Sequence, residues 1–178
     1  MHPSHRVNPK LAYNEWLRAH GYGGENPWHD FANSGENDAG EVQSGWLLRN
    51  SNLPARVREE HSETAYTTMR GREFIESAGD TPWLLHLSYI KPHWPYVAPA
   101  PYHSMYSTKD MLPVNCDEKE RVDPHPVYAA FMDMDPGEAF SRQEVRDAVI
   151  PIYMGLVKQI DDHLGKLLDW MEETDRMK

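Results

Sequence analysis

Lys91-Pro92-His93-Trp94-Pro95-Tyr96 sets a lysine, a histidine and two aromatics side by side. An ammonium is a compact charged donor and an imidazole a donor that switches with protonation, and both suit a phosphate or sulfate oxygen. Pro92 and Pro95 fix the backbone on either side of His93, and a stiff loop loses less freedom when it binds. Lys91 and His93 are therefore the candidate substrate-binding residues. The same letters also describe a proline-rich loop whose aromatics cover a sheet edge, with His93 an ordinary surface histidine, and spacing alone leaves both readings open.

Other familiar chemistry is missing from the chain. Gly21-Tyr22-Gly23-Gly24-Glu25-Asn26 lacks the third glycine of a dinucleotide fingerprint and follows no strand, and there is no P-loop, HExxH or CxxC. Asp133-Met134-Asp135-Pro136-Gly137-Glu138 fails as a calcium loop, because Gly137 stands where an oxygen ligand is needed. Asp161 and Asp162 are adjacent, and on a helix neighbours point about 100° apart, so the pair reads as helix surface or local hydrogen bonding.

The 178 residues, 39% hydrophobic and with a net charge of -10, fit one soluble domain and argue against a nucleic-acid or anionic-membrane surface. A single cysteine, Cys116, excludes an internal disulfide and fits a reducing, cytoplasmic compartment. No segment has the roughly 20 apolar residues of a membrane span.

These residues need elements to position them. Asn8 to His20 reads as a short helix capped by Asn8, with Pro9 in its first turn. Tyr22 to Ala55 is rich in glycine, Asn and Asp and reads as a long irregular excursion, with a turn of helix near Trp46 to Leu48. His61 to Ala78 is a helix capped by Ser62 and stopped by Gly79. Trp83 to Ile90 is the one convincing strand, and its apolar start suits a central strand buried on both faces. A short helix is expected at Val127 to Met132. Ser141-Arg142-Gln143-Glu144 reads as a capping box, with Phe140 and Val145 as its staple, before a long apolar stripe from Val145 to Met171 that Pro151 should kink. One central strand with several helices cannot bury itself, so the expectation is a piece of a larger α/β protein.

The strand, then Lys91-Pro92-His93-x-Pro95-Tyr96, then Pro99 and the Tyr102 to Tyr106 segment, resembles the middle of the sulfatase branch of the alkaline phosphatase superfamily. Ile160-Asp161-Asp162-x-Leu164-Gly165-x-Leu167 is similar to a second hallmark of that family, in the same order and separation. Glu25-Asn26-Pro27-Trp28-His29-Asp30, Glu60-His61-Ser62-Glu63-Thr64-Ala65 and Asp123-Pro124-His125-Pro126-Val127-Tyr128 resemble the phosphonate monoester hydrolase and arylsulfatase-like members.

The resemblance implies an α/β, alkaline phosphatase-like sandwich, with residues 1–178 the central fragment of a single catalytic domain carrying few strands and a long amphipathic helix. It implies a metal-dependent hydrolase of sulfate, phosphate diester or phosphonate monoester bonds, acting on a small anionic ester. A formylglycine nucleophile and a divalent cation (Mg, Ca, Mn or Zn) are implied with it. His93 carries over as a catalytic and substrate-binding residue, and Lys91 as a substrate-binding one.

The departures carry expectations of their own. Cys116 is followed by Asp117-Glu118-Lys119-Glu120-Arg121, not by the C/S-x-P/A-x-R pattern that yields formylglycine, and no paired acidic ligands precede it on a strand. No metal ligand is assigned within the chain, and the chain alone is expected to be inactive. The alternative is a catalytically inactive remnant or interaction domain on the same scaffold, with exposed apolar faces that favour homo-oligomers.

Overall fold

The structure is a computed structural model that describes residues 11–115 and 117–177, so the expected cap at Asn8 and Pro9, and Cys116, lie outside the described residues. The first helix, α1 (Ala12–Ala19), turns Tyr13 and Leu17 inward, where they meet Ala32 and Val57 under a rim of Trp16, Trp28, Phe31 and Tyr66. Aromatic area thus supplies much of this core.

The segment read as irregular contains the two strands of the described structure. In β1 (Ser34–Glu36) and β2 (Val42–Ser44), Ser34 pairs with Ser44 and Glu36 with Val42 in an antiparallel register. The turn between them is built by Asn37, whose Oδ1 accepts from the Ala39 and Glu41 amides at 3.1 and 2.9 Å, and by Gly40 at φ +78°.

Helix α2 (Glu63–Ala78) ends where the sequence predicts and starts after the predicted Ser62 cap, while His61 belongs to a separate short 3-10 turn. Ser62 Oγ accepts from the Ala65 amide at 3.2 Å, and Gly79 leaves the helix at φ +57°. Trp83 to Ile90 differs from its expectation, because it pairs with no strand among the described residues. Its burial still alternates: Leu85, Leu87 and Tyr89 are half-covered, while Leu84, His86, Ser88 and Ile90 are exposed, the period of an extended chain. The covered side lies on α2, where Tyr89 Oη and Thr68 Oγ1 are 2.7 Å apart. A Cβ at Gly71 would stand 2.9 Å from Leu87 Cδ1, so the glycine permits the approach. One face is therefore packed and the other open, with Leu84 93% exposed. Among the described residues no ladder completes this extended segment as a strand.

Two short helices follow, α3 (Pro126–Met132) as expected and α4 (Asp135–Ser141), which the sequence reading missed. Because α4 runs through Ser141, that residue is no cap for the next helix: its Oγ donates back to the Glu138 carbonyl at 2.7 Å. The long helix α5 (Gln143–Glu173) begins after Arg142 without a side-chain cap and continues through Pro151. The expected capping box gives way to Arg146, whose guanidinium donates to the Phe140 and Ser141 carbonyls at 2.6 and 2.7 Å. Phe140 packs edge-on against Tyr96, and with Arg142 at the cap it does not stand at the position before the cap that a staple uses.

The inner stripe of α5 places Ile152 and Leu156 against Ala98 and Tyr102 in a second core. This contact is close: a Cβ at Gly155 would lie 2.2 Å from the Tyr102 carbonyl oxygen. Asp162 secures the same turn by accepting from Tyr102 Oη at 2.9 Å, and Lys158 bonds its other oxygen. The adjacent acids thus do local structural work, with Asp162 turned to Tyr102 and Asp161 paired with Lys158 at 3.6 Å.

Candidate functional site

The Lys91–Tyr96 loop is held between these two cores. Its entry is a turn in which the His93 amide donates to the Ile90 carbonyl at 3.0 Å. Its exit runs into Val97 and Ala98, both buried, and the Ala98 carbonyl accepts from the Ala55 amide at 2.9 Å. Cis peptide bonds precede Pro92, Pro95 and Pro101. The stiffness expected from the prolines is therefore reinforced by anchors at both ends.

Lys91 and His93 occupy opposite environments. Lys91 is buried, with Nζ donating to the Pro95 carbonyl at 2.5 Å and to Asn33 Oδ1 at 3.5 Å. Burial draws the ammonium down to about 8 in spite of the negative charge of Glu63, and burial raises the Glu63 carboxyl above its usual range, opposed by Lys91 and a hydrogen bond from the Trp28 side chain. Beside Lys91 is a cavity of about 10 Å³, with Glu63, Thr64, Val97 and Gln159 in its wall, room for one water.

His93 is exposed, with Nδ1 2.7 Å from the Trp94 carbonyl oxygen. A carbonyl only accepts, so Nδ1 carries the proton and Nε2 is the nitrogen left for a ligand. Neutral, Nε2 accepts a hydrogen bond; on the protonated ring it donates one, which is the form an anionic oxygen needs. Next to it Trp94 meets Trp46 edge-on at 4.5 Å, and Trp46 Nε1 donates to His29 Nδ1 at 2.9 Å. The exposed side of the loop is thus one imidazole beside an aromatic wall, and it can bind and orient an anion with an apolar substituent.

Sequence reasoning missed the residues that hold this loop from beneath. Asn33 is almost fully buried: its Nδ2 donates to the Trp28 carbonyl at 3.1 Å, and its own carbonyl accepts from the Gly45 amide at 2.9 Å. Asn33, Glu63 and Trp46 lie far from Lys91 in sequence, and no spacing signal links them. A separate polar cluster joins α5 to the start of α2, with His163 Nε2 2.6 Å from Glu59 Oε1 and Gln159 Nε2 donating to Glu59 Oε1 and Ser62 Oγ at 3.1 and 2.9 Å. The bond with His163 holds the Glu59 carboxyl below its usual range.

Comparison with known proteins places this geometry in a family. The sulfatase family model matches residues 10–178. The multifunctional alkaline phosphatase superfamily protein PehA of Trinickia caryophylli is 32% identical over 133 residues, which cover 68% of this chain and 26% of that protein. Among solved structures, the phosphonate monoester hydrolase SpPMH from Silicibacter pomeroyi superposes with a TM-score of 0.70 at 24% identity, over 92% of this chain and 33% of that one. The phosphonate monoester hydrolase of Agrobacterium radiobacter gives a TM-score of 0.70 at 19% identity, over 91% and 32%. The chain thus spans about a quarter of the curated relative's length and a third of each solved neighbour's. The shared fold confirms a partial alkaline phosphatase-like architecture, mostly helical with a short two-stranded sheet.

Sulfatase family members typically use a metal and a formylglycine. Among the described residues no three His, Cys, Asp or Glu side chains form a group that could hold a metal. Among them, too, no helix is long and apolar enough to cross a membrane. With its family model matched over nearly the whole chain, this protein belongs to the sulfatase family.

Proposed function

We propose that residues 1–178 are the central part of one sulfatase-like catalytic domain that hydrolyses sulfate, phosphate diester or phosphonate monoester bonds, and that the chain contributes one wall of that site. The observation that carries this reading is His93: exposed on an anchored loop, with Nδ1 committed to the Trp94 carbonyl and Nε2 left for substrate. In its protonated form the ring donates from Nε2 to an oxygen of a small anionic ester and steadies the charge that builds there. The nucleophile and the divalent cation would come from segments outside these residues, so the chain by itself has no hydrolase activity. The single cysteine, Cys116, supports a cytoplasmic setting.

The test is to express the flanking coding sequence together with this chain and assay aryl sulfates, phosphate diesters and phosphonate monoesters. Activity that appears with the flanks and is absent from the chain alone supports the reading; full activity of the chain alone overturns it.

A second reading, an inactive remnant or interaction domain that forms homo-oligomers, is favoured by the open face of the extended segment, where Leu84 is 93% and Ile90 58% exposed. It predicts a stable oligomer by light scattering and no hydrolysis even with the flanks restored.

A further inference from the structure

We propose that Lys91 is a positioning residue for His93: held inside the fold, it ties the first residue of the loop to the Pro95 carbonyl and to Asn33, and so fixes the backbone that orients the imidazole. The proposal rests on the reading of His93 as a substrate ligand and gives its lysine neighbour a different task from substrate contact.

His93 is oriented by one bond, from Nδ1 to the Trp94 carbonyl. That carbonyl belongs to the peptide joining Trp94 to Pro95, and the proline ring fixes rotation about the next bond. The freedom that remains is the rotation that swings the Pro95 carbonyl. Two donors hold that oxygen, the Val97 amide at 3.1 Å and Lys91 Nζ at 2.5 Å. Lys91 also donates to Asn33 Oδ1 at 3.5 Å, and Asn33 is fastened to the core through Trp28 and Gly45. A chain of bonds therefore runs from the buried core through Lys91 to the peptide next to the one that orients His93.

A lysine buried beside Glu63 in a cavity with room for a single water is badly placed to meet an ester, yet well placed to brace a loop. Charge on the ammonium strengthens both bonds, because a charged donor binds a carbonyl more strongly than a neutral one.

The experiment is nitrogen NMR of the 178-residue chain with ring-labelled histidine, unsubstituted and as Lys91→Met. The unsubstituted chain should show the neutral His93 ring predominantly as the Nδ1–H tautomer. Lys91→Met should shift that population at least twofold toward Nε2–H while the α2 signals stay in place. A folded Lys91→Met chain with an unchanged His93 tautomer overturns the proposal.

If the variant does not fold, the unsubstituted chain decides. The Lys91 ammonium protons should be protected from exchange, and the His93 ring shifts should move as Lys91 loses its proton. Rapid exchange, or a His93 indifferent to that titration, rejects the brace. In the flank-restored enzyme, Lys91→Met should lower kcat about tenfold with little change in KM, whereas loss of a ground-state substrate contact would raise KM. If His93→Ala leaves activity intact while Lys91→Met still moves the tautomer, the brace stands and the reading of His93 as a substrate ligand falls.

Discussion

Replacing Lys91 by methionine leaves a side chain of similar length and removes the charge, which makes pH the informative variable. Burial pulls the Lys91 ammonium from its ordinary 10.5 down to about 8, against the attraction of Glu63. The unfolded chain holds that proton up to the ordinary value, and the folded chain releases it near 8. Between those two pH values the unfolded state binds more protons, so the stability of the folded state rises with pH. At about 1.4 kcal/mol per unit, the displacement amounts to about 3 kcal/mol. Urea unfolding of the unsubstituted chain and of Lys91→Met at pH 7.5, 8.5, 9.5 and 10.5 isolates this group, because the tyrosines that titrate nearby are common to both. The stability difference should move in favour of the unsubstituted chain by about 3 kcal/mol across that range. A difference that stays flat would show that Lys91 titrates as it does in water, and the account of a buried, braced lysine would be wrong.

The other predictions concern what holds the loop in place. Gly155→Ala puts a methyl group 2.2 Å from the Tyr102 carbonyl, and since a backbone oxygen cannot step aside cheaply, thermal or urea unfolding should show a loss of about 3 kcal/mol; an unaffected midpoint would refute the close contact. Tyr102→Phe removes the donor to Asp162 and should cost about 1–2 kcal/mol, with a double-mutant cycle against Asp162→Asn giving coupling of the same size. Glu59 is held below its ordinary carboxylate range chiefly by His163, so its contribution is present above the unfolded value and is lost as pH falls through the lower folded value. Glu59→Gln should accordingly flatten the acid side of the stability profile, and an identical acid limb in both proteins would count against that pairing.

The sequence is most legible where a local rule acts alone. Ser62 and Gly79 mark the ends of α2, and the apolar stripe marks the body of α5, because caps and periodicity need no distant partner. It is least legible where two elements compete for one residue. Ser141 has the letters of a capping box, yet α4 claims it. The hairpin of β1 and β2 has strands of three residues each, too short for an alternating pattern to register, although Asn37 to Gly40 is a turn signal that could have disclosed it. Trp83 to Ile90 shows a different limit: its extended form and packed face are visible in the letters, but strand pairing depends on backbone from elsewhere.

The same division holds at the loop. His93 stands out in the sequence by its setting among prolines and by the family resemblance, and the fold leaves it exposed. Lys91, two positions earlier, looks equivalent in the sequence, and only the fold shows that it is buried on Asn33 and the Pro95 carbonyl. Asn33, which meets Lys91 across 58 positions, carries no local sign of that contact in the sequence.

The most direct test of the central claim is the kinetics of His93→Ala in the flank-restored enzyme, with substrate varied and protein folding checked by circular dichroism. If His93 steadies charge in the transition state, kcat/KM for the preferred ester should fall by about 10²–10³-fold, with circular dichroism unchanged. Full activity in a folded His93→Ala enzyme would contradict it.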